Sequence, residues 1–245
     1  MVKRGILLIL GVAGSVAVCA VLIFSSQSIL ASASTPKFSQ LPESEQFLTL
    51  PIAITGTDLA VQRLVAYEGP FLEDGSDREV VDIAALLICN TGDETLLRAQ
   101  VELTCGGRTY RFYGERILPG IPQLLLERNC KPYEKGEITA CSGWQITTHT
   151  REYLDRGVTV TDEYMGTLVI TNSTENTLRD VTVFYRSWLS PPGFYIGGIV
   201  YFVTLPTLAP GEAVRIYPYR YAKEYSRPVS VTASRAEATN EPAAN

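Results

Sequence analysis

The chain has 245 residues, of which 46% are hydrophobic and 19% charged, and its net charge is −5. That length allows one or two domains with ordinary cores. An acidic balance without clustered Lys and Arg excludes a nucleic-acid partner, because neutralising phosphates needs grouped cations.

The N-terminus carries the targeting signal. Lys3-Arg4 precede an uncharged, mostly apolar run from Gly5 to Phe24, 20 residues long (24 − 5 + 1), and no further charge follows until Lys37. A helix of that length crosses a hydrocarbon core, and the charge asymmetry directs the remainder outward. Two readings fit residues 1–33. A signal anchor is favoured because the run exceeds a usual signal-peptide core. A cleaved signal peptide is the alternative, with Ala31-Ser32-Ala33 as its site. The expected location is the cell membrane, single-pass through residues 5–24 with the C-terminal part outside, or secreted after cleavage near Ala33. Residues 34–58 read as a linker, rich in Ser, Thr, Pro and Gln over 34–45.

A duplicated phrase organises the rest. Leu87 to Val101 and Val169 to Val183 align so that Asn90 falls on Asn172, an offset of 82 residues (172 − 90). Thr95 then falls on Thr177, Leu96 on Leu178 and Val101 on Val183. Pro119-Gly120 recurs as Pro210-Gly211. A repeat of this size is a domain-sized unit used twice. Val80 to Cys89 is an apolar run bounded by turn chemistry at Asp74-Gly75-Ser76-Asp77 and Asn90-Thr91-Gly92-Asp93. After that second turn, read as a hairpin, Leu97, Ala99, Val101 and Leu103 form one face of a return strand. Gln145 to Thr148 open the second unit, whose strands follow at Met165–Thr171, Arg179–Arg186, Tyr201–Thr204, Ala213–Tyr217 and Val229–Ala233. No 3.6-residue period persists outside the N-terminal run. The expected fold is all-β, two tandem β-sandwiches over 59–143 and 144–234, with a disordered tail over 235–245.

Cys19 lies in the apolar run, which leaves Cys89, Cys105, Cys130 and Cys141 for the exported part. An even count there favours disulfides over zinc, since no C-x₂₋₄-C pair exists. Hairpin geometry separates Cys89 from Cys105. Cys130–Cys141 is the most local pair, and at least one bridge is expected.

Asn, a polar turn, Leu, alternating Val and a later Leu208-Ala209-Pro210-Gly211-Glu212 make up a pattern that Leu118-Pro119-Gly120-Ile121 carries in part. The pattern resembles the immunoglobulin-like extracytoplasmic modules of bacteria, such as FxLYD and cell-adhesion-related (CARDB) domains. Val183-Phe184-Tyr185-Arg186 is the nearest approach to the FxLYD string. The resemblance implies binding or spacer modules on an exported protein and transfers no functional residue.

Few residues suggest chemistry. The one histidine, His149, alternates with Thr on a strand, where a solvated face explains it. Asp93-Glu94 and Asp162-Glu163 sit in turn-like segments that favour acids for backbone bonding. Tyr217, Tyr219 and Tyr221 lie two apart, so an extended strand would place them on one face able to stack sugars or a partner. Asn172-Ser173-Thr174 matches a glycosylation acceptor but is the repeated turn. No cofactor, no metal and no catalytic activity are expected. The leading reading is a membrane-anchored pair of interaction or spacer modules for a protein or envelope polymer. Wall-polymer or carbohydrate binding through the tyrosine face is the alternative, and a carboxylate-dependent hydrolase is the second.

Overall fold

The computed structural model describes residues 51–147, 152–154, 156–163, 166–190 and 193–235. The apolar run over 5–24, the Ala31–Ala33 site, the 34–50 part of the linker, His149 and the tail from 236 lie outside the described residues.

The described chain is all-β. Its strands are β1 (Ile52–Ala53), β2 (Leu59–Pro70), β3 (Glu79–Asn90), β4 (Leu96–Cys105), β5 (Arg108–Ile117), β6 (Gln123–Leu126) and β7 (Ile138–Thr147). They continue with β8 (Val158–Asp162), β9 (Leu168–Asn172), β10 (Leu178–Leu189), β11 (Phe194–Leu208), β12 (Ala213–Ile216) and β13 (Ser226–Arg235). Alternation shapes β4: Ala99, Val101 and Leu103 are buried while Arg98 and Glu102 are exposed. A register shift between Leu96 and Arg98 turns Leu96 into the core and leaves the expected Leu97 only half-buried.

The two repeats have the same strand pairing. In the first, β2 pairs with β3, β3 with β6, and β4 with both β5 and β7. In the second, β8 pairs with β9, β9 with β12, and β10 with both β11 and β13. Each repeat has its own core. One gathers Leu86, Ile88, Val101, Leu103 and Phe112, the other Ile170, Val181, Val183, Leu208 and Val231.

Asn90 and Asn172 explain why the phrase recurs. Asn90 Nδ2 donates to the Glu94 carbonyl at 2.8 Å and the Ile117 carbonyl at 3.0 Å. Asn172 Nδ2 donates to Asn176 at 2.9 Å and Leu208 at 3.0 Å. Gly120 N–H donates to the Asn90 carbonyl, and Gly211 N–H to that of Asn172, both at 2.8 Å. The fully buried amide thus ties an inter-sheet crossing to the Pro-Gly turn. It satisfies backbone groups that would otherwise be stranded. The segment after Asn90 is therefore not a hairpin. β3 and β4 lie in different sheets, so the opposition of Cys89 to residue 97 does not occur.

Two further expectations are corrected. The halves are not separate, because a seven-stranded sheet runs β1-β2-β3-β6-β11-β10-β13 through both. The join is a parallel pairing of Tyr195 with Gln123 and Ile196 with Leu124. The reason is burial on both faces of the β2-β3-β6 sheet. Ala84, Leu86 and Ile88 face the first core, while Ile83, Ala85, Leu87, Leu124 and Leu126 join a third cluster with Ile196. That accounts for the uninterrupted apolar run over 83–89, the signature of a strand covered on both sides. The boundary expected at 143/144 falls inside β7, so Gln145–Thr147 close the first repeat and β8 opens the strand order of the second.

Candidate functional site

One organised open surface is the outward face of the β5-β4-β7 sheet. Because β4 sends its odd positions into the core, its even ones line up with outward residues of both neighbours. Gln100 lies opposite Tyr113 on β5 and Trp144 on β7. On one side Glu102 stands between Arg111 and Ser142, and on the other Arg98 stands between Glu115 and Ile146. Arg111 Nε meets Glu102 at 2.9 Å, Arg98 lies 3.9 Å from Glu115, and Tyr113 Oη donates to Glu115 Oε1 at 2.9 Å. These contacts hold the central row between two charged rows. Burial and Glu115 push the Tyr113 hydroxyl pKa up, so it stays a neutral donor. Trp144 is 44% exposed and Ile146 47%.

A cavity of about 410 Å³ opens on this face, lined by Gln100, Arg111, Phe112, Tyr113, Arg128 and Asn129. A neighbouring one of about 360 Å³ is lined by Glu73, Tyr113, Leu126, Arg128 and Ile199. Tyr113 and Arg128 border both. Arg128 is exposed and, among the described residues, opposes no carboxylate within ion-pair distance. The free edge of β7 is covered where Gly143 N–H donates to the Thr55 carbonyl at 2.9 Å and Asp58 N–H donates to Gln145 Oε1 at 2.7 Å.

The second concentration of charge is the joint between repeats. Arg186, 1% exposed, donates to the carbonyls of Ile199 at 3.0 Å, Gly198 at 3.3 Å and Glu115. Burial lowers its pKa to about 10. Glu73 accepts from Leu126 N–H and Gly198 N–H, each at 2.9 Å, and desolvation raises its pKa to about 7. Arg116 donates to Glu152 Oε1 at 2.8 Å and Ser230 Oγ at 2.9 Å, with its guanidinium 3.5 Å from the Phe184 ring centroid. Arg220 Nη1 reaches Asp77 at 2.9 Å and Tyr201 Oη at 2.8 Å. These groups bind the halves together.

The tyrosine face does not form as expected. Tyr217 and Tyr219 are 75% and 73% exposed, but Tyr221 is 7% exposed, sits edge-on to Tyr185 and donates to Asp162. Pro218 has no N–H to continue the β12 ladder, which ends at Ile216, and Arg220 at φ +59 turns the chain. The disulfide expectation is also corrected, since Cys89, Cys105, Cys130 and Cys141 are all free. Cys130 packs with the third cluster and Cys141 against the first core, so the β2-β3-β6 sheet stands between them. Asp162 accepts from Tyr221, and Glu163 pairs with Arg215 at 2.7 Å. No group of His, Cys, Asp and Glu among the described residues is arranged to hold a metal.

Sequence reasoning did not single out Trp144, Gln100, Tyr113 or Arg128. The available signal was the complement of the core pattern: a strand with Ala99, Val101 and Leu103 inward must present Arg98, Gln100 and Glu102 outward. No family model and no curated protein matches the chain.

Proposed function

We propose that this chain is an exported, membrane-anchored binding protein whose two repeats are immunoglobulin-like modules without catalytic chemistry of their own. The observation that carries the reading is the row Tyr113–Gln100–Trp144. It leaves Trp144 exposed and Tyr113 and the Gln100 amide half-buried between charged rows on a sheet braced from behind. Large exposed aromatics with fixed neighbours lose little entropy on binding, which suits a recognition surface. The repeated topology and the Asn–Pro-Gly turn support the family resemblance, and Lys3-Arg4 with the run over 5–24 support membrane attachment facing outward.

The test uses the full-length chain and the envelope fraction of its own cells in a sedimentation assay. The wild type is expected to co-sediment saturably, and Trp144→Ala to lose that binding at unchanged melting temperature. Equal co-sedimentation of both proteins would remove this face from the function. External protease on intact spheroplasts should digest the repeats, and their protection would rule out export.

A further inference from the structure

We infer that the outward face of the β5-β4-β7 sheet takes a carboxylate-bearing oligosaccharide. Two sugar rings lie against Tyr113 and Trp144, the Gln100 amide bonds hydroxyls between them, and Arg128 holds the acid group at the cavity. This rests on the binding-protein reading above and names its ligand class.

Spacing is the first argument. Tyr113 and Trp144 flank Gln100 on adjacent strands, so their Cβ atoms stand about 9.5 Å apart at two strand spacings. That is close to the separation of alternate rings in an extended pyranose chain, with the intervening ring over Gln100. An open sheet face with an aromatic on each outer strand matches the apolar faces of such rings. Gln100 presents one acceptor and two donors midway, and no hydrogen bond to another described residue occupies them.

Charge is the second. Arg98 and Arg111 are each opposed by a glutamate, whereas Arg128 is not. It borders the cavity of about 410 Å³ with Gln100 and Tyr113. In a chain of net charge −5, this face carries Arg98, Arg111 and Arg128 against Glu102 and Glu115. Glu73 shares the neighbouring cavity with Arg128 but accepts from the Leu126 and Gly198 N–H groups, so the planar Arg128 guanidinium is left to bind a carboxylate through two parallel hydrogen bonds.

Geometry disfavours a peptide. The β7 edge is bridged by the backbone at Thr55, so strand addition is blocked there. The exposed apolar groups reduce to Trp144 and Ile146 beside charged rows, less than the apolar centre of a protein interface.

The test is calorimetric titration of the full-length chain with oligogalacturonate and hyaluronan oligosaccharides. Each is compared with the same oligosaccharide after its carboxyl groups are reduced to alcohols. The expected result is at least tenfold tighter binding of the acid forms, with the difference shrinking as salt rises. Arg128→Gln should make acid and reduced forms equal without abolishing either. Trp144→Ala should weaken both by tenfold or more, and Trp144→Phe should restore most of the loss. Equal wild-type affinity for both forms, an acid preference that survives Arg128→Gln, or no binding of either acid oligosaccharide would overturn the inference. If those titrations fail while Trp144→Ala still abolishes envelope binding, the ligand class is wrong and the binding face stands. A protein ligand would be that case. If neither assay responds to Trp144, both readings fall.

Discussion

Glu73 and Arg186 grip the same residue from its two ends. The Gly198 N–H donates to Glu73 at 2.9 Å, and the Gly198 carbonyl accepts from Arg186 at 3.3 Å. Neither charge is neutralised by direct contact with the other; each bonds backbone groups where the two repeats meet, and Arg186 Nη1 is left buried without a partner among the described residues. Charges in this position fix a geometry more than they add stability, because desolvation offsets much of the attraction.

The Glu73 carboxyl should make the joint pH-dependent. Desolvation, set against the Leu126 and Gly198 N–H groups and the Arg186 charge, raises its pKa from 4.5 to about 7. A raised folded-state pKa means the folded chain binds the extra proton. The associated stability is therefore full below pH 4.5 and is lost as pH rises through about 7. Glu73 also borders an open cavity, so solvent at its edge limits the effect to roughly 1–3 kcal/mol. Wild type should lose that stability between pH 5 and 8 relative to Glu73→Gln, measured by urea denaturation at both pH values. Parallel pH profiles for the two proteins would contradict the assignment.

Gly198→Ala should open the same joint. A Cβ there would collide with the Tyr113 carbonyl and the Glu73 carboxylate, and the first of these is backbone that cannot swing away. The expected loss is at least about 3 kcal/mol, in the range of severe overpacking. Limited proteolysis should then cut between the repeats before either is degraded. A substitution tolerated within about 0.5 kcal/mol would mean the two halves do not meet this closely.

The fold was legible where its cause is local. Alternation in β4, turn residues at 74–77 and the Asn–Pro-Gly repeat each act within a short stretch, and each appears in the structure where the residues place it. What the sequence hid depends on distant pairing. Nothing near Gln123 announces Tyr195 as its parallel neighbour, and nothing near Glu73 announces Gly198. The tyrosine face failed for a local reason that was visible: Pro218 within Tyr217–Tyr221 removes a ladder donor, so two-residue spacing no longer means a common face. The candidate site lay in the complement of the β4 core face, with Trp144 just inside a boundary drawn through the middle of β7.

Asn90→Ala and Asn172→Ala test the duplicated turn. Each removes two donated hydrogen bonds to carbonyls and an acceptor for a turn N–H, from Gly92 at 3.0 Å in one case and Thr174 at 2.9 Å in the other. Leaving those groups unpaired should cost about 2–4 kcal/mol at either site. Because the two turns share these three bonds, the two losses should agree within about 1 kcal/mol, with Asn172→Ala the larger since Asn172 Oδ1 also accepts from Thr174 Oγ1 at 2.7 Å. Thermal or chemical melts of the two variants check this, and a loss confined to one of them would show that the turns are not equivalent.

The thiols should stay reduced and react in a fixed order. Burial raises the Cys89 and Cys105 thiol pKa values and takes Cys141 from 9.0 to about 11. At neutral pH Cys141 then has about a hundredfold less of the nucleophilic thiolate than an ordinary cysteine. Cys105, 1% exposed, is closed to reagent as well. Cys130 lies in the turn after β6, half-buried, with Arg78 Nη2 2.9 Å from its sulfur, and burial does not close it off as it does Cys105. Cys130 should therefore alkylate first, Cys89 and Cys141 slowly, and Cys105 only on unfolding. Timed alkylation followed by peptide mass spectrometry, on protein never exposed to reductant, reads the order directly. A Cys130–Cys141 linked peptide in that digest would show that the sheet between them does not keep them apart.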